Sequence, residues 1–466
     1  MFSSDQPSFA KGSPAMAPEI IENSVDMSRP FWNMGREMMP AEQMRSLQIE
    51  KLRRQLKYLG ESSDFYKQKF HACGFASADF RTIEDLQCIP FTTKSELRES
   101  QENHPPFGLH RAAPMDRIIR VTATSGTTGK SVFQGYTLHD TVQRAESLSR
   151  ALWGFGVRPG DRVVNGFALS MFNAGVPLCA AVERLGAINI PVGAERRVEG
   201  MLKLMQQLKA TVWVGTPSFI SVLAERCEEV LGIPPHELGL RIICGGGESG
   251  FEQPVFQKRM EEAWGTPHVY DFASTSDAHP NSFAHCRHRK GKHHLTPDMV
   301  MIELIDPVTG NPIEMADGVQ GEYAFTHLDR QACPLLRYRT GDIIKVYTSP
   351  CSCGRTGFRM DIVGRSDDML IVRGVNVFPS AIQSVIGQFS PRVNGMMQIV
   401  LDAPGPAVKP PLRLRIEAAN ADEELKAAME RTLRRELTVT TDIEFVQPGT
   451  LARTEAKSKL IVQENS

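Results

Sequence analysis

The sequence lacks an excess of charge of either sign. Among its 466 residues, 53 lysines and arginines stand against 54 aspartates and glutamates, which gives a formal net charge of -1. A chain with so balanced a charge has no bulk attraction to nucleic acid or to an anionic membrane surface. Nucleic acid and membranes are therefore excluded as expected partners, and the composition favours small molecules.

Long apolar runs are missing as well. No stretch of about eighteen apolar residues occurs, so the sequence predicts no membrane-spanning helix. The opening residues MFSSDQPSFAKGSPAMAPEI have neither the charged start nor the apolar centre of a secretory signal. These two absences predict a cytoplasmic protein.

Paired cysteines are not indicated either. The nine cysteines are scattered, and an odd number without an export signal is typical of reduced thiols or metal ligands, not of a disulfide framework. A hydrophobic content of 41% and a charged content of 23% are ordinary for a globular protein. Because 466 residues exceed what one core usually serves, we expect two or more domains.

Composition divides the chain into three segments. Residues 1–25 are rich in serine, proline and alanine and are predicted to be loosely ordered. Residues 26–364 form a predicted large domain. Residues 365–466 contain a proline-rich stretch, a charged helix from about Ala421 to Leu437 and a final strand DIEFV, which together predict a small α+β domain. The polar joint between the two domains lies near Asp367.

One long helix is predicted from about Ala41 to Tyr58, with Gly60 ending it. Its apolar residues recur at helical spacing: Met44, Leu47, Leu52, Leu56 and Leu59.

Between Asp161 and Ser274, short apolar runs alternate with helical stretches. The runs are RVVNGFAL, AINIPV, TVWVGT, LRIICGG and PHVYDFA, and the helical stretches include EGMLKLMQQLKA and PSFISVLAERCEEVLG. Strands separated by helices imply parallel βαβ units. The predicted fold class is therefore α/β, with a large domain of parallel βαβ units followed by the small α+β domain.

The stretch TATSGTTGKS, from Thr122 to Ser131, combines hydroxyls, glycines and a lysine, a composition that suits a phosphate chain. Only two residues separate Gly126 from Gly129, whereas the common P-loop has four between its glycines. The flanking segments RIIRV and VFQGYT are β-branched and aromatic, so they predict a strand, a loop and a strand. A solvated hairpin is the alternative on local grounds.

Five motifs follow one another along the chain. They are TSGTTGKS, then GGGESG at Gly245, YRTGD at Tyr338, GRSDDMLIVRGVNVFP at Gly364 and RTEAK at Arg453. In this order they resemble the adenylate-forming superfamily of acyl-CoA synthetases. With FWN, SDFYKQKF and IPFTTKSELR nearer the N-terminus, the chain is similar to the phenylacetate-CoA ligase family over roughly residues 30–463.

The resemblance implies a two-step reaction. A substrate carboxylate attacks the α-phosphate of ATP to give an acyl-adenylate and pyrophosphate, and the thiol of coenzyme A then attacks the acyl carbon and releases AMP. The family implies an aromatic or arylalkanoic acid. It also implies a small mobile C-terminal domain that rotates between the two steps. A homodimer is left open.

The resemblance also assigns the residues that bind the nucleotide. The loop that cradles the phosphates comprises Thr124, Ser125, Gly126, Thr127, Thr128, Gly129 and Lys130. Asp342 accepts hydrogen bonds from the ribose hydroxyls, and Arg365 holds the same nucleotide.

Further matches lie around the acyl pocket and the joint. Gly246, Gly247 and Glu248 are expected to line the adenine and acyl pocket, where glycines permit close backbone approach. Asp367 falls on the hinge position of the family. Gly374 falls on the strand that approaches the pantetheine.

Lys457 matches the family's adenylation lysine, which bridges the substrate carboxylate and the α-phosphate. Ala456 precedes it where the family usually has glycine, and Lys459 is a competing candidate. By itself, a lysine near a charged C-terminus is normally a solvated surface residue.

The segment DFASTSD departs from the family, whose members read approximately Asp-Ile-Tyr-Gly-Leu-Ser-Glu. Asp271 keeps the leading acid, but Ala273 and Ser274 replace the tyrosine–glycine pair. We expect a weaker grip on the adenine, or a space filled by Phe272 or a bulkier acyl substrate. Asp277 replaces the glutamate that helps to hold Mg²⁺ in relatives, and we expect it to keep that role through a water.

Cysteines and histidines form a second constellation. Cys351 and Cys353 form a C-x-C pair, and Cys286 lies just upstream of His293 and His294. Three thiolates and one imidazole suit tetrahedral Zn²⁺, and some relatives carry such a site. Thiols embedded in an apolar core are the alternative. The sequence leaves open which of the two histidines takes part.

Two other functions stay open. One is an adenylating enzyme whose acceptor is a carrier protein or a cofactor, and the other is a degenerate nucleotide-binding regulator. Retention of Lys130, Asp342 and Lys457 speaks against loss of activity. Arg196 and Arg197 could face a second acid group on the substrate, with a solvated surface as the alternative.

Overall fold

The computed structural model describes residues 26–124, 131–275, 277, 279–373, 375–402, 407–451 and 460–463, with the backbone alone at Asn376. Within these ranges no helix is long and apolar enough to cross a lipid bilayer. Several candidate site residues lie outside the described residues: Ser125, Gly126, Thr127, Thr128, Gly129, Lys130, Gly374, Lys457 and Lys459.

Helices occur in both halves of the described chain. They are α1 (Met34–Glu37), α2 (Ala41–Ser62), α3 (Asp64–Ala72), α4 (Lys94–Asn103), α5 (Leu138–Phe155), α6 (Gly175–Arg184), α7 (Arg197–Gln207), α8 (Pro217–Leu231), α9 (Pro254–Trp264), α10 (Pro379–Gly387) and α11 (Glu423–Leu437).

The strands of the large domain come first along the chain. They are β1 (Arg120–Ala123), β2 (Phe133–Tyr136), β3 (Arg162–Asn165), β4 (Ile188–Ile190), β5 (Val212–Gly215), β6 (Ile242–Gly245), β7 (Val269–Ala273), β8 (Phe283–Ala284), β9 (Lys292–His294), β10 (Val300–Ile305), β11 (Gln320–His327), β12 (Tyr338–Tyr347) and β13 (Arg359–Arg365). Those after it are β14 (Leu370–Val372), β15 (Val375–Val377), β16 (Met397–Leu401), β17 (Ala407–Val408), β18 (Leu412–Glu417), β19 (Thr441–Val446) and β20 (Ile461–Gln463).

Parallel strands alternating with helices build one half of the main sheet, as the sequence predicts. Strand β3 pairs in parallel with β4 and with β5, and the parallel pairing continues through β6 to β7. All four residues of β5 and of β6 are buried, which is why these strands read as continuous apolar runs. The α/β fold class is confirmed.

The other half of the sheet is antiparallel, which the sequence analysis did not foresee. Strand β7 is followed in the sheet by β8, β9, β13, β12, β11 and β10, so the whole sheet has eleven strands in the described chain. Of the strands in this sheet, β13 is the last along the chain, yet it lies between β9 and β12. The connection between β12 and β13 is therefore next to β9.

Two local predictions have different outcomes. Strands β1 and β2 flank the glycine- and threonine-rich loop, as the predicted strand, loop and strand require, and they pair antiparallel. The prediction that Gly60 ends the long helix is wrong, because α2 continues to Ser62. One glycine costs an internal helix only about 1 kcal/mol. Phe70 packs against the position where a Gly60 side chain would begin, 3.7 Å away, and the helix ends instead at the extended Ser63.

Beyond β13 the chain forms separate, smaller sheets. Strands β14, β15 and β17 make one sheet, and β19, β18, β16 and β20 make the other. Helices α10 and α11 cover them, and their shared core includes Ile382, Ile399, Leu414 and Met429. This agrees with the predicted α+β character of the C-terminal residues, including the helix near 421–437 and the DIEFV strand.

Candidate functional site

The carboxyl ends of the central parallel strands meet at one edge of the sheet. Gly215 at the end of β5 is the register partner of Gly245 at the end of β6, and Gly245 is the partner of Asp271 in β7. In open α/β sheets, ligands bind in the crevice outside this edge. The glycine-rich segment that follows β6 therefore stands where a nucleotide is expected.

Close backbone packing explains the glycines of this segment. A Cβ added to Gly246 would lie 2.0 Å from the carbonyl oxygen of Phe272, and Gly247 has a φ of 92°. Neither position tolerates a side chain without a backbone shift. Glu248 turns back, because its Oε1 accepts a hydrogen bond of 2.7 Å from the backbone N–H of Ser218 at the start of α8.

Thr124 closes the base of the predicted phosphate loop. It is buried, its backbone N–H donates to the carbonyl of Val132 at 3.0 Å, and its Oγ1 accepts from the backbone N–H of Val132 at 3.1 Å. The hairpin thus holds both ends of the loop at a fixed separation.

Residues from two separate motifs meet across strands β12 and β13. Asp342 and Arg365 are register partners, and an Nη of Arg365 donates to Oδ1 of Asp342 at 2.8 Å. Arg365 also donates from Nε to Asp367 at 2.7 Å, so all three predicted residues lie together. Thr275 donates to the other oxygen of Asp342 at 3.3 Å and bonds to the phenol of Tyr323. Neither Thr275 nor Tyr323 was predicted from the sequence to take part in the site.

Asp277 is buried with one oxygen engaged and one free of hydrogen bonds. Tyr338 donates to Oδ2 of Asp277 at 3.0 Å, and the ammonium of Lys94 lies 3.9 Å from the same oxygen. Oδ1 has no hydrogen-bond partner among the described residues. Burial raises the pKa of Asp277, and the nearby Lys94 charge opposes this increase. A hard cation would satisfy such an oxygen.

Asp271 pairs with a lysine that the sequence analysis missed. The buried ammonium of Lys292 lies 2.7 Å from Oδ2 of Asp271. Burial raises the pKa of Asp271 to about 6 although Lys292 lowers it. Lys292 lies in β9, and its only sequence signal is a charged residue at the start of a short buried strand.

Strand pairing assembles the predicted cysteine and histidine cluster. The ligand atoms of Cys286, His293, Cys351 and Cys353 all lie within 4.8 Å of one another. Cys286 follows β8, His293 is the middle residue of β9, and the two other cysteines lie in the connection between β12 and β13. Arg359 of β13 is the register partner of His293 in β9. The connection between β12 and β13, which contains Cys351 and Cys353, therefore lies beside β9.

The distances in the cluster fit a tetrahedral metal. The sulfurs of Cys286 and Cys351 are 3.7 Å apart, and the sulfur of Cys353 is 3.4 Å from Nε2 of His293. Zn–S bonds of about 2.3 Å at tetrahedral angles place two sulfurs about 3.8 Å apart. The Cys286 thiol and the His293 ring lower the pKa of Cys353, which favours the thiolate that a metal needs.

His294 is not part of the cluster. Adjacent residues of a strand point to opposite faces, so the ring of His294 turns into the core. There it lies 5.1 Å from the ring of Phe283 and 5.4 Å from that of Phe358. Burial lowers the pKa of His294 to about 3, which makes it a neutral core residue.

The connection between β12 and β13 also contacts residues near the start of the described chain. Arg355, two residues after Cys353, is buried and donates to Glu37 at 2.9 Å, and its guanidinium lies 4.6 Å from the ring centre of Phe31. Arg355 thus fixes Phe31 and Glu37 against the connection between β12 and β13.

Comparisons with known proteins agree with this arrangement. Residues 374–465 match the family described as the AMP-binding enzyme C-terminal domain. A phenylacetate-coenzyme A ligase of Thermus thermophilus is 34% identical over 438 residues, which cover 90% of this chain and 96% of the relative.

Two solved states of one enzyme superpose on the chain to different degrees. A 2-hydroxyisobutyryl-CoA ligase in the postadenylation state with 2-HIB-AMP gives a TM-score of 0.85 at 30% identity, covering 94% of this chain and 93% of that one. The same enzyme with 2-HIB-AMP and CoA in the thioesterification state gives 0.70 at 30% identity, covering 93% and 92%.

Proposed function

This chain belongs to the phenylacetate-CoA ligase family and is an AMP-forming acid–CoA ligase, and we propose that its acid is aromatic or arylalkanoic. The observation that carries the proposal is the similarity to a phenylacetate-coenzyme A ligase over 96% of that relative's length. The acid is the finer part of the proposal, because a solved neighbour at 30% identity is bound to the adenylate of 2-hydroxyisobutyrate.

The proposed reaction has two steps. A carboxylate oxygen of the acid attacks the α-phosphorus of ATP, the bond to the pyrophosphate oxygen breaks, and an acyl-adenylate forms. The CoA sulfur, having lost its proton, then attacks the acyl carbon and expels AMP. Each step needs groups that stabilise charge at a different atom.

Asp342 is the proposed ribose ligand. Its ionised partner Arg365 and its hydrogen bond from Thr275, which follows the end of β7, support this role, because together they hold the carboxylate in one orientation. A fixed acceptor-only carboxylate suits two neighbouring hydroxyl donors. Gly246 and Gly247 allow the adenine and the acyl group to approach the backbone closely.

Asp277 is the proposed contact for Mg²⁺. The support is its buried Oδ1, which has no partner in the described part of the chain, together with the phenol that fixes its other oxygen. When bound, Mg²⁺ would neutralise charge on the phosphates of ATP. The role of Asp277 itself is to orient one free carboxylate oxygen toward that site.

Zn²⁺ is the proposed occupant of the Cys286, His293, Cys351 and Cys353 cluster. The separations of the four ligand atoms and the thiolate character of Cys353 support it. Four protein ligands leave no open position, so the proposed role is structural.

Movement of residues 365–466 about a hinge at Asp367 is proposed to separate the two steps. The support is the higher TM-score with the postadenylation state than with the thioesterification state of the same neighbour. Asp367 is exposed and pairs with Arg365 at the end of β13, which suits a residue at a joint.

The test is a panel of acids screened for AMP release that depends on CoA. The panel contains benzoate, phenylacetate, phenylpropionate and their hydroxylated forms, with 2-hydroxyisobutyrate and butyrate as non-aromatic comparators. The proposal expects the highest kcat/KM for an aromatic member. A preference for 2-hydroxyisobutyrate would contradict the aromatic acid while leaving the ligase reaction in place.

A further inference from the structure

Three buried arginines have no carboxylate within ion-pair distance in the described chain. One, Arg359 of β13, donates to the carbonyls of Lys290 and Ser349. The other two are Arg144 on α5 and Arg330 in the connection between β11 and β12, which are 3% exposed each. Other buried arginines of this protein do have one: Arg150 contacts Asp298, Arg337 contacts Glu303 and Arg355 contacts Glu37. An unpaired buried charge is costly, so its retention calls for an explanation.

Arg144 is held only by neutral groups. Its guanidinium donates to Ser147 and Ser282 at 3.4 Å each and to the carbonyl of Asn173 at 3.2 Å. Its Nε has no partner in the described structure. Burial lowers the pKa of Arg144 to about 9, and the neighbouring charge of Arg330 acts in the same direction.

Arg330 also contacts neutral groups. Its guanidinium donates to the carbonyls of His279 and Gly135 and to Oε1 of Gln134, lies 4.3 Å from the ring centre of Tyr136, and leaves Nε without a described partner. Burial alone would lower the pKa of Arg330, but the neighbouring Tyr136 and Asp140 raise it, the reverse of the net shift at Arg144. Neither Asp140 nor Asp277 forms an ion pair with Arg330 in the described chain.

The segment from His279 to Ser282 joins the two arginines. Arg330 holds its first residue and Arg144 its last, and Asn281 between them is fully buried with both amide atoms unpartnered in the described chain. Fewer than one in ten buried polar groups usually lacks a partner. Four unpartnered donors belong to this segment and to the residues that contact it: Arg144 Nε, Arg330 Nε, Asn281 Nδ2, and Nε2 of Gln134, whose Oε1 lies 3.4 Å from the Arg330 guanidinium.

This cluster adjoins the proposed nucleotide and acyl site. The carbonyl of Asn281 accepts a hydrogen bond of 2.6 Å from Ser274, which directly precedes the Asp342 ligand Thr275. On the other side, Tyr136 donates to the side chain of Asn173 at 3.0 Å, in the connection that also carries Phe167 toward Gly247. The segment that carries Asn281 is therefore linked through Ser274 and Thr275 to the proposed ribose ligand Asp342.

We propose that Arg144, Arg330 and the amide of Asn281 bind an anionic group at the far end of the substrate, so that this ligase activates an acid carrying a second carboxylate. The inference rests on the proposed ligase function and names the substrate class of the same site. A carboxylate offers about four acceptor positions, which matches the cluster of unpartnered donors, and its charge offsets that of the guanidiniums. Arg196 and Arg197, the candidates that the sequence offered for such a group, are both exposed.

The first experiment compares matched acids. Pyrophosphate exchange is measured for phenylacetate against ortho-, meta- and para-phenylenediacetate, and for butyrate, valerate and caproate against succinate, glutarate and adipate. We expect wild type to prefer at least one diacid over its monoacid. Replacing Arg144 by Met is expected to lower that ratio of kcat/KM about 100-fold, because a site built for a charged partner discriminates strongly. The exposed Arg54, replaced by Met, is the matched control and keeps the ratio.

The second experiment needs no turnover. Melting without ligands is measured for Arg144→Met and Arg150→Met, two substitutions on one helix. We expect Arg150→Met to lower Tm, because it leaves the buried carboxylate of Asp298 without its partner. We expect Arg144→Met to keep or raise Tm, because it removes an unpaired buried charge. An equal loss of Tm in both variants would show that the fold itself compensates Arg144, and would overturn the proposal.

The remaining outcomes separate the proposal from its premise. A wild type that activates monoacids but rejects every diacid leaves the ligase function intact and overturns the second carboxylate. If no acid in the panel is activated, the proposed aromatic acid fails, and melting with each diacid decides the site: a Tm increase in wild type that is absent from Arg144→Met supports it, and no increase overturns it. Stabilisation by chloride or phosphate equal to that by diacids at the same ionic strength would identify a free anion and overturn the substrate assignment.

Discussion

The phenol of Tyr338 donates to Oδ2 of Asp277 at 3.0 Å, while Oδ1 of the same carboxylate is buried without a partner in the described chain. Tyr338 belongs to the YRTGD motif and Asp277 to the segment that departs from the family. The contact fixes the plane of the carboxylate. Aspartate is one methylene shorter than the family's glutamate, and a Mg²⁺ that keeps several waters can still be reached through one of them.

Replacing Asp277 by Ala is therefore expected to weaken adenylation chiefly by raising the Mg²⁺ concentration needed. We expect the concentration for half-maximal pyrophosphate exchange to rise about tenfold or more, as for other residues that orient a metal. The exposed Asp402, replaced by Ala, is the control. Wild-type rates of the Asp277 variant throughout a magnesium titration would make Asp277 a simple loop residue.

Purified protein is expected to contain about one zinc per chain. Replacing Cys351 and Cys353 by Ser should remove the zinc and lower Tm, because metal affinity of a structural site contributes to folding. His293→Ala should also lose zinc, whereas His294→Ala should keep it while losing core packing. Zinc measured by mass spectrometry in all four proteins decides this, and a zinc-free wild type of unchanged stability would contradict the site.

The sequence predicted the central strands well because their burial leaves a local signal. Strands β5 and β6 are buried on both faces and each is followed by a helix, so composition alone reveals the βαβ pattern. The antiparallel half depends on β13 inserting between β9 and β12, a contact between distant segments that no local pattern encodes.

The register of β13 against β9 also determines which histidine lies at the cysteines, a point that the sequence left open. Once Arg359 is paired with His293, strand alternation places His293 at the cysteines and turns His294 into the core. The pairing of Asp271 with Lys292 has the same origin, because β9 returns beside β8 and β7. Motif matching found the acid but could not find the lysine, since the two are separated by twenty residues of non-repeating sequence.

Lys457→Ala is expected to lower adenylation by roughly 100-fold or more while leaving thioester formation from preformed acyl-adenylate largely intact. The lysine stabilises charge that shifts between carboxylate and phosphate in the first step alone. Lys459→Ala is the matched control, and it should retain both half-reactions. An equal loss in both half-reactions of the Lys457 variant would refute its assignment, and a loss confined to the Lys459 variant would transfer the role to that residue.

Asp367→Pro is expected to have the opposite effect. Proline fixes its own φ and restricts Ser366 before it, so the joint stiffens. Acyl-adenylate should form and accumulate, and thioester should appear slowly in a rapid-quench experiment. Because Asp367 also pairs with Arg365, the control is Asp367→Ala, which breaks that ion pair without stiffening the backbone. Normal CoA turnover in the proline variant would remove the hinge.

Asp271 gives a prediction about pH. In the folded protein burial raises the pKa of this carboxyl from 3.8 to about 6, so the folded state binds the proton more tightly than the unfolded chain does. The resulting stabilisation is complete below pH 4 and is lost as the pH rises through 6. A difference of roughly two units between the folded and unfolded pKa values corresponds to about 3 kcal/mol of unfolding free energy.

Asp271→Asn has no such titration. Its unfolding free energy, measured in urea from pH 4 to pH 6.5, should therefore rise relative to that of wild type by about 2 kcal/mol over this range. In wild type burial lowers the pKa of Lys292, but Asp271 and other nearby acids outweigh this effect and raise it, so Lys292 stays charged in this window. Asp306→Asn is a control of opposite sign: backbone N–H groups hold the pKa of Asp306 below its usual value, so wild type gains on this variant as the pH rises. Parallel pH profiles for Asp271→Asn and wild type would mean that Lys292 keeps Asp271 ionised throughout, and that the buried pair does not titrate near neutrality.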